Sequence, residues 1–134
     1  MSKIYAILFC AAAFILALDQ GTKVKALETL VSEGNSLSVF ENWFHWTLVH
    51  NHGVAFGMFR NLPEAGRVWM LNILTLSILG FLWWSIVRKF KPDEKVGPLW
   101  TGMVLGGALG NFIDRTRLGY VIDFVDWFYP SSSN

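Results

Sequence analysis

The stretch GGALGNFIDRTRLGYVIDFVD, residues 106–126, decides how the whole chain is read. It opens as an apolar, glycine-spaced segment and closes with three carboxylates, Asp114, Asp123 and Asp126. Asn111 and Asp114 lie three apart, so on a helix they share a face. A carboxylate at the end of a membrane-length apolar run is costly to place there, which makes a functional role the default reading. The residues upstream read as the scaffold that brings other polar groups to the same place.

Working outward, the segment before this stretch predicts a helix over 96–113. Pro98 suits its first turn, and Gly102, Gly106 and Gly110 recur every fourth residue. Small residues at that spacing line one face and let another helix approach closely. Before it, residues 69–87 carry no charge and match the thickness of a bilayer core. Trp83 and Trp84 suit the membrane interface at the far end of that span. A third apolar run, 4–18, follows Lys3 and predicts a span over about 2–19 that continues through DQGTK to Lys23. A signal peptide has a similar pattern, but the two later spans already require membrane insertion. Thr22, Asp19 and Lys23 then cluster at a helix end, for which a solvated face is the plain reading.

Composition agrees. Hydrophobic residues make up 53% of the 134 and charged residues 16%, with seven Trp and eleven Phe. A soluble domain of this length could not bury so much apolar surface. The fold class expected is mainly α and integral to the membrane, a single domain with three transmembrane helices and a small β-strand subdomain outside the bilayer. Residues 36–40 and 44–49 supply the strands, with Glu41-Asn42 as their turn. Arg88, Lys89, Lys91 and Lys95 mark 88–95 as a cytoplasmic loop, which places 20–67 and 114–134 outside. On that topology DQGTK, HNHGVAFG and GNFIDR come to one level on one side of the membrane.

The net charge of +1 and the lack of a basic, aromatic-laced cluster set nucleic acid aside. The single cysteine, Cys10, permits no disulfide within the chain and reads as a small buried apolar residue. His45, His50 and His52 invite a metal reading, yet no cysteine or well-spaced carboxylate completes a ligand set. Neither metal nor cofactor is expected. There is no plausible Ser/His/Asp set and no phosphate-cradling glycine loop. Paired aspartates remain: one activates water as a base, and the other, protonated, polarises a peptide carbonyl.

Four segments carry a resemblance: D-x-x-T-K at 19–23, N-x-G-x-A-F-G at 51–57, G-G-A-L-G-N-x-x-D-R at 106–115 and G-x-V-x-D-F at 119–124. Together, in this order and over nearly the whole chain, they resemble the boxes of the lipoprotein signal peptidases, the type II signal peptidases of bacteria. The resemblance implies a four-helix aspartyl endopeptidase of the bacterial inner membrane, multi-pass, with its site near the outer face. Its partners would be membrane lipid and prolipoproteins, cut just before a cysteine that carries diacylglycerol. Asp123 matches one catalytic aspartate. Asn51, Gly53, Asn111 and Arg115 match positions that hold the substrate, and Asp19, Lys23 and Asp114 match positions that support the site. Spacing alone does not choose between Asp123 and Asp114.

The family pattern continues with a fifth box, about W-x-x-F-N-x-A-D on a fourth helix, which supplies the second catalytic aspartate. These 134 residues end at Asn134 before any such box, and the expectation is a truncated sequence. The alternative is a non-catalytic or degenerate membrane protein that binds lipidated peptides.

Overall fold

The computed structural model describes residues 2–30, 34–40, 44–53, 62–85, 87–91 and 93–127. Helix α1 spans Ser2–Leu30, strands β1 and β2 span Ser36–Phe40 and Phe44–Asn51, and helix α2 spans Glu64–Ser85. A 3-10 turn, Val87–Lys89, leads to helix α3, Val96–Leu118, and strand β3, Val121–Trp127. All three α-helices are long and apolar enough to cross a membrane. Much of their apolar surface faces outward, as at Phe14, Ile73, Phe81 and Val104. That arrangement fits a multi-pass membrane protein, where lipid, not protein, covers the outer face of each span.

Helices α1 and α3 run the same way and pack along the glycine face. A β-carbon on Gly102 would meet the Leu8 carbonyl, and one on Gly106 the Ala12 carbonyl. On Gly110 it would meet the Asp19 carboxylate. Each four-residue step on α3 thus climbs α1 by about one or two turns and ends at the polar residues. Gly80 on α2 has open space where its side chain would be. Helix α2 lies against the same pair: its Trp83 stacks on Tyr5 of α1 at a centroid distance of 6.1 Å. Trp84 holds the Arg88 guanidinium 3.9 Å above its ring, which suits an interfacial end.

Helix α1 does not stop near Lys23 as expected. Its 29 residues make a rod of roughly 43 Å, longer than the ~30 Å bilayer core. The extra turns persist because they have something to bury. Ala26 and Leu30 form a buried cluster with Leu48 and Ile122 of the sheet, flanked by Tyr120 and Phe124. Helix α3 likewise runs past residue 113 to Leu118, where Gly119 adopts a left-handed conformation (φ 84°) and its N–H closes onto the Arg115 carbonyl. Cys10 is exposed, not buried. Leu8, Ala11 and Ala12 take the buried positions on its helix, and Cys10 falls on the other face.

The sheet has order β1-β2-β3, antiparallel throughout. The first two strands lie where the sequence placed them, β2 running two residues further; the turn at 41–42 lies outside the described residues. The third strand was not anticipated. Alternation makes the sheet two-faced. Leu48 and Ile122 are buried against the end of α1, whereas Val49, Asn51 and Asp123 are exposed on the opposite face.

Candidate active site

Two polar clusters meet where α1 and α3 reach the sheet. The first is buried. Lys23 is 4% exposed and Asp114 3%. Lys23 Nζ lies 2.7 Å from Asp114 Oδ2 and 2.8 Å from Asp19 Oδ2. It also donates to Asn111 Oδ1 at 3.1 Å. Gln20 Nε2 donates to Asp19 Oδ2 and to Asp114 Oδ1, each at 3.1 Å. One cation between two carboxylates leaves a formal charge of −1, and the amide donors offset part of it. A buried charge survives only when paired and hydrogen-bonded in this way. The solvated helix end expected around Lys23 is therefore overturned, because α3 and the sheet cover it.

The second cluster lies on the exposed face of the sheet. The pairing places Asn51 opposite Val121 and Val49 opposite Asp123, so Asn51 and Asp123 are diagonal neighbours on one face. Asn51 Nδ2 donates to Asp123 Oδ2 at 3.0 Å. Asn51 Oδ1 in turn accepts the Gly53 N–H at 2.8 Å. That Asx turn needs Gly53 at φ 73°, a left-handed conformation glycine adopts without strain. A side chain there would also strike Leu71 of α2.

The clusters are joined by backbone. Asp114 Oδ2 accepts the N–H of Ile122 at 3.3 Å, and Ile122 directly precedes Asp123. The ion pair that binds α1 to α3 thereby also holds the strand that carries Asp123.

Of the residues singled out from sequence, Asp19, Lys23, Asn111 and Asp114 converge in the buried cluster, and Asn51, Gly53 and Asp123 on the sheet. Arg115 departs from both and turns to α2, where it donates to Thr75 Oγ1 at 3.4 Å. Residues 54–57 of the second box lie outside the described residues, and so does the side chain of Asp126. Among the described residues no group of three or more His, Cys, Asp and Glu could hold a metal ion. His50 instead stacks on Tyr120, with ring centroids 4.2 Å apart.

Two polar residues escaped the sequence reading. Gln20 sits inside DQGTK with no signal of its own. Asn72 lies near the start of the apolar run of α2, is 4% exposed, and donates through Nδ2 to Thr116 Oγ1 of α3 at 3.0 Å. An amide inside a membrane span is itself a signal of interhelical bonding.

The family model described as Signal peptidase (SPase) II matches residues 11–133. The chain belongs to the signal peptidase II family. Lipoprotein signal peptidase of Caldanaerobacter subterraneus subsp. tengcongensis is 39% identical over 123 residues, covering 91% of this chain and 79% of that protein. Lipoprotein signal peptidase of Chromobacterium violaceum is 36% identical over 132 residues, covering 92% and 77%. A bacterial membrane enzyme solved by the in meso method at 2.3 Å superposes with a TM-score of 0.67 at 27% identity, covering 90% of this chain and 69% of that one. A second, at 1.9 Å, gives a TM-score of 0.65 over 90% and 73%. Membership of the signal peptidase II family makes the chain an enzyme of the aspartyl endopeptidase class, and its three long apolar helices make it a multi-pass membrane protein.

Proposed function

We propose that this enzyme removes the signal peptide from diacylglyceryl-modified prolipoproteins at the outer face of the bacterial inner membrane, with Asp123 as one of two catalytic carboxylates. The observation that carries the reading is the Asn51–Asp123 hydrogen bond. It brings two distant boxes together on the exposed face of the sheet, next to the ends of the spans.

The chemistry needs one carboxylate to take a proton from water and a second, protonated, to polarise the scissile carbonyl. Asp123 is exposed and fixed on one side by Asn51, which leaves its carboxylate open to water. Asp114 is ill suited to be its partner. Lys23 and the Ile122 N–H engage its Oδ2 and Gln20 its Oδ1, so neither oxygen is free to face a scissile carbonyl. Asp19 shares the same cation. The second catalytic carboxylate is therefore assigned to neither, and the family's F-N-x-A-D box is its expected source. Asp19, Lys23 and Asp114 are positioning residues that set the strand. Asn111 and Arg115 face α3's neighbours and are suited to hold substrate backbone.

The test is cleavage in detergent micelles. The full-length enzyme is expected to shorten a prolipoprotein carrying diacylglycerol on its cysteine and to leave the unmodified precursor intact. Equal cleavage of both would contradict the substrate assignment, and binding without any cleavage would favour the peptide-binding alternative.

A further inference from the structure

We propose that the cavity between α2 and the end of α3 seats a stretch of substrate backbone, with Asn72 Oδ1 accepting from a substrate N–H and Arg115 Nε donating to a substrate carbonyl. This rests on the peptidase reading above and adds a positioning residue, Asn72, that lies outside all four boxes.

The cavity has a volume of about 540 Å³, and its lining includes Glu64, Val68, Trp69, Asn72, Arg115 and Thr116. A smaller one of about 220 Å³ lies along the same two helices, lined by Thr75, Ile78, Leu82, Ala108, Asn111 and Arg115. Arg115 lines both, so a chamber of mixed lining and a mainly apolar one share a single guanidinium between them.

Two atoms on this wall are buried with no hydrogen-bond partner among the described residues, Asn72 Oδ1 and Arg115 Nε. Such groups cost free energy unless something satisfies them. For Asn72 the amide orientation is fixed by its other end: Thr116 Oγ1 donates its one proton to the Phe112 carbonyl, so it can only accept from Asn72 Nδ2. The unmet needs are complementary: one acceptor lacks a donor and one donor lacks an acceptor. An extended peptide backbone offers both groups at once. A phosphate or carboxylate does not fit, because its oxygens would face the Asn72 carbonyl oxygen and the Glu64 carboxylate. An acyl chain alone would leave both atoms unsatisfied. The apolar chamber below suits the hydrophobic side chains that flank such a backbone.

The experiment measures binding to full-length enzyme carrying Asp123→Asn, which holds substrate without cutting it. The probes are fluorescent prolipoprotein peptides with a diacylglyceryl cysteine, N-methylated at one backbone amide at a time ahead of that cysteine. Methylation at one position is expected to weaken binding about tenfold, the scale of one buried hydrogen bond. Adding Asn72→Leu should weaken the unmethylated peptide by about the same factor and abolish the penalty at that one position. Asn72→Ala serves if the leucine variant fails to fold. Methylation penalties that are identical with and without Asn72 overturn the proposal and reduce Asn72 to a strut between helices. Cleavage of the unmethylated peptide by the unmutated enzyme keeps the peptidase reading standing in that event. Neither cleavage nor binding by the unmutated enzyme overturns both.

Discussion

Lys23 and Asp114 form an ion pair of 2.7 Å across the α1–α3 seam, with side chains only 5% and 4% exposed. The same Asp114 oxygen accepts the N–H of Ile122. One buried charge pair therefore fixes two helices to each other and sets the strand that presents Asp123.

Removing the cation should be the most damaging change in this layer. Lys23→Met leaves two carboxylates close together and unpaired, and losing one partner of a buried pair costs about 3–5 kcal/mol. The expected outcome is a large loss of thermal stability in detergent micelles. Asp114→Leu combined with Lys23→Met should recover part of it, because no buried charge on α3 is then left alone. A Lys23→Met protein as stable as the parent would show that water reaches the pair.

The glycine seam gives a paired comparison. Gly106→Leu drives a side chain into the Ala12 carbonyl, whereas Gly80→Leu points into open space. The first should sharply lower the yield of folded protein, and the second should leave it nearly unchanged. Equal yields would mean that α1 and α3 do not pack on this face.

How much of this was legible in the sequence follows from what each signal depends on. The spans were legible because apolar length is a local property, and four-residue glycine spacing disclosed the packing face of α3. The ends of α1 and α3 were not, since the turns beyond the bilayer persist through contacts with a sheet distant in sequence. Strand β3 was missed because VIDFVDW breaks strict alternation with two aspartates. Its backbone pairing with β2 and its tether to Asp114 replace that local signal. Asp19, Lys23, Asn111 and Asp114 could be grouped by topology, but the burial of Lys23 required the register between α1 and α3. Arg115 was grouped with the same cluster, and only its helical phase turns it toward α2.

Orientation in the membrane can be measured in intact cells with an impermeant thiol reagent, in a Cys10→Ala background. Glu28→Cys, on the exposed surface of α1 beyond the span, should be labelled. Asp93→Cys, in the loop rich in Lys and Arg, should be protected. The reverse pattern would place the sheet and Asp123 in the cytoplasm.

Asn51→Ala removes the donor that orients Asp123 and the acceptor for the Gly53 N–H. Cleavage should fall by about tenfold, the scale of one charge-assisted hydrogen bond, with stability only slightly reduced because both groups are at the surface. Unchanged kcat would show that Asp123 is held by other means.

The central claim is that Asp123 carries out proton transfer in peptide cleavage. Its most direct measurement is gel-shift cleavage of a diacylglyceryl-modified prolipoprotein by the full-length enzyme carrying Asp123→Asn. Asparagine keeps the shape but can neither take up nor give a proton as a carboxyl group does, so the rate should fall by at least ~10²-fold while the folded yield stays level. Asp126→Asn, three residues further along the same strand, should cost far less. Full activity in the Asp123→Asn enzyme would remove Asp123 from the mechanism.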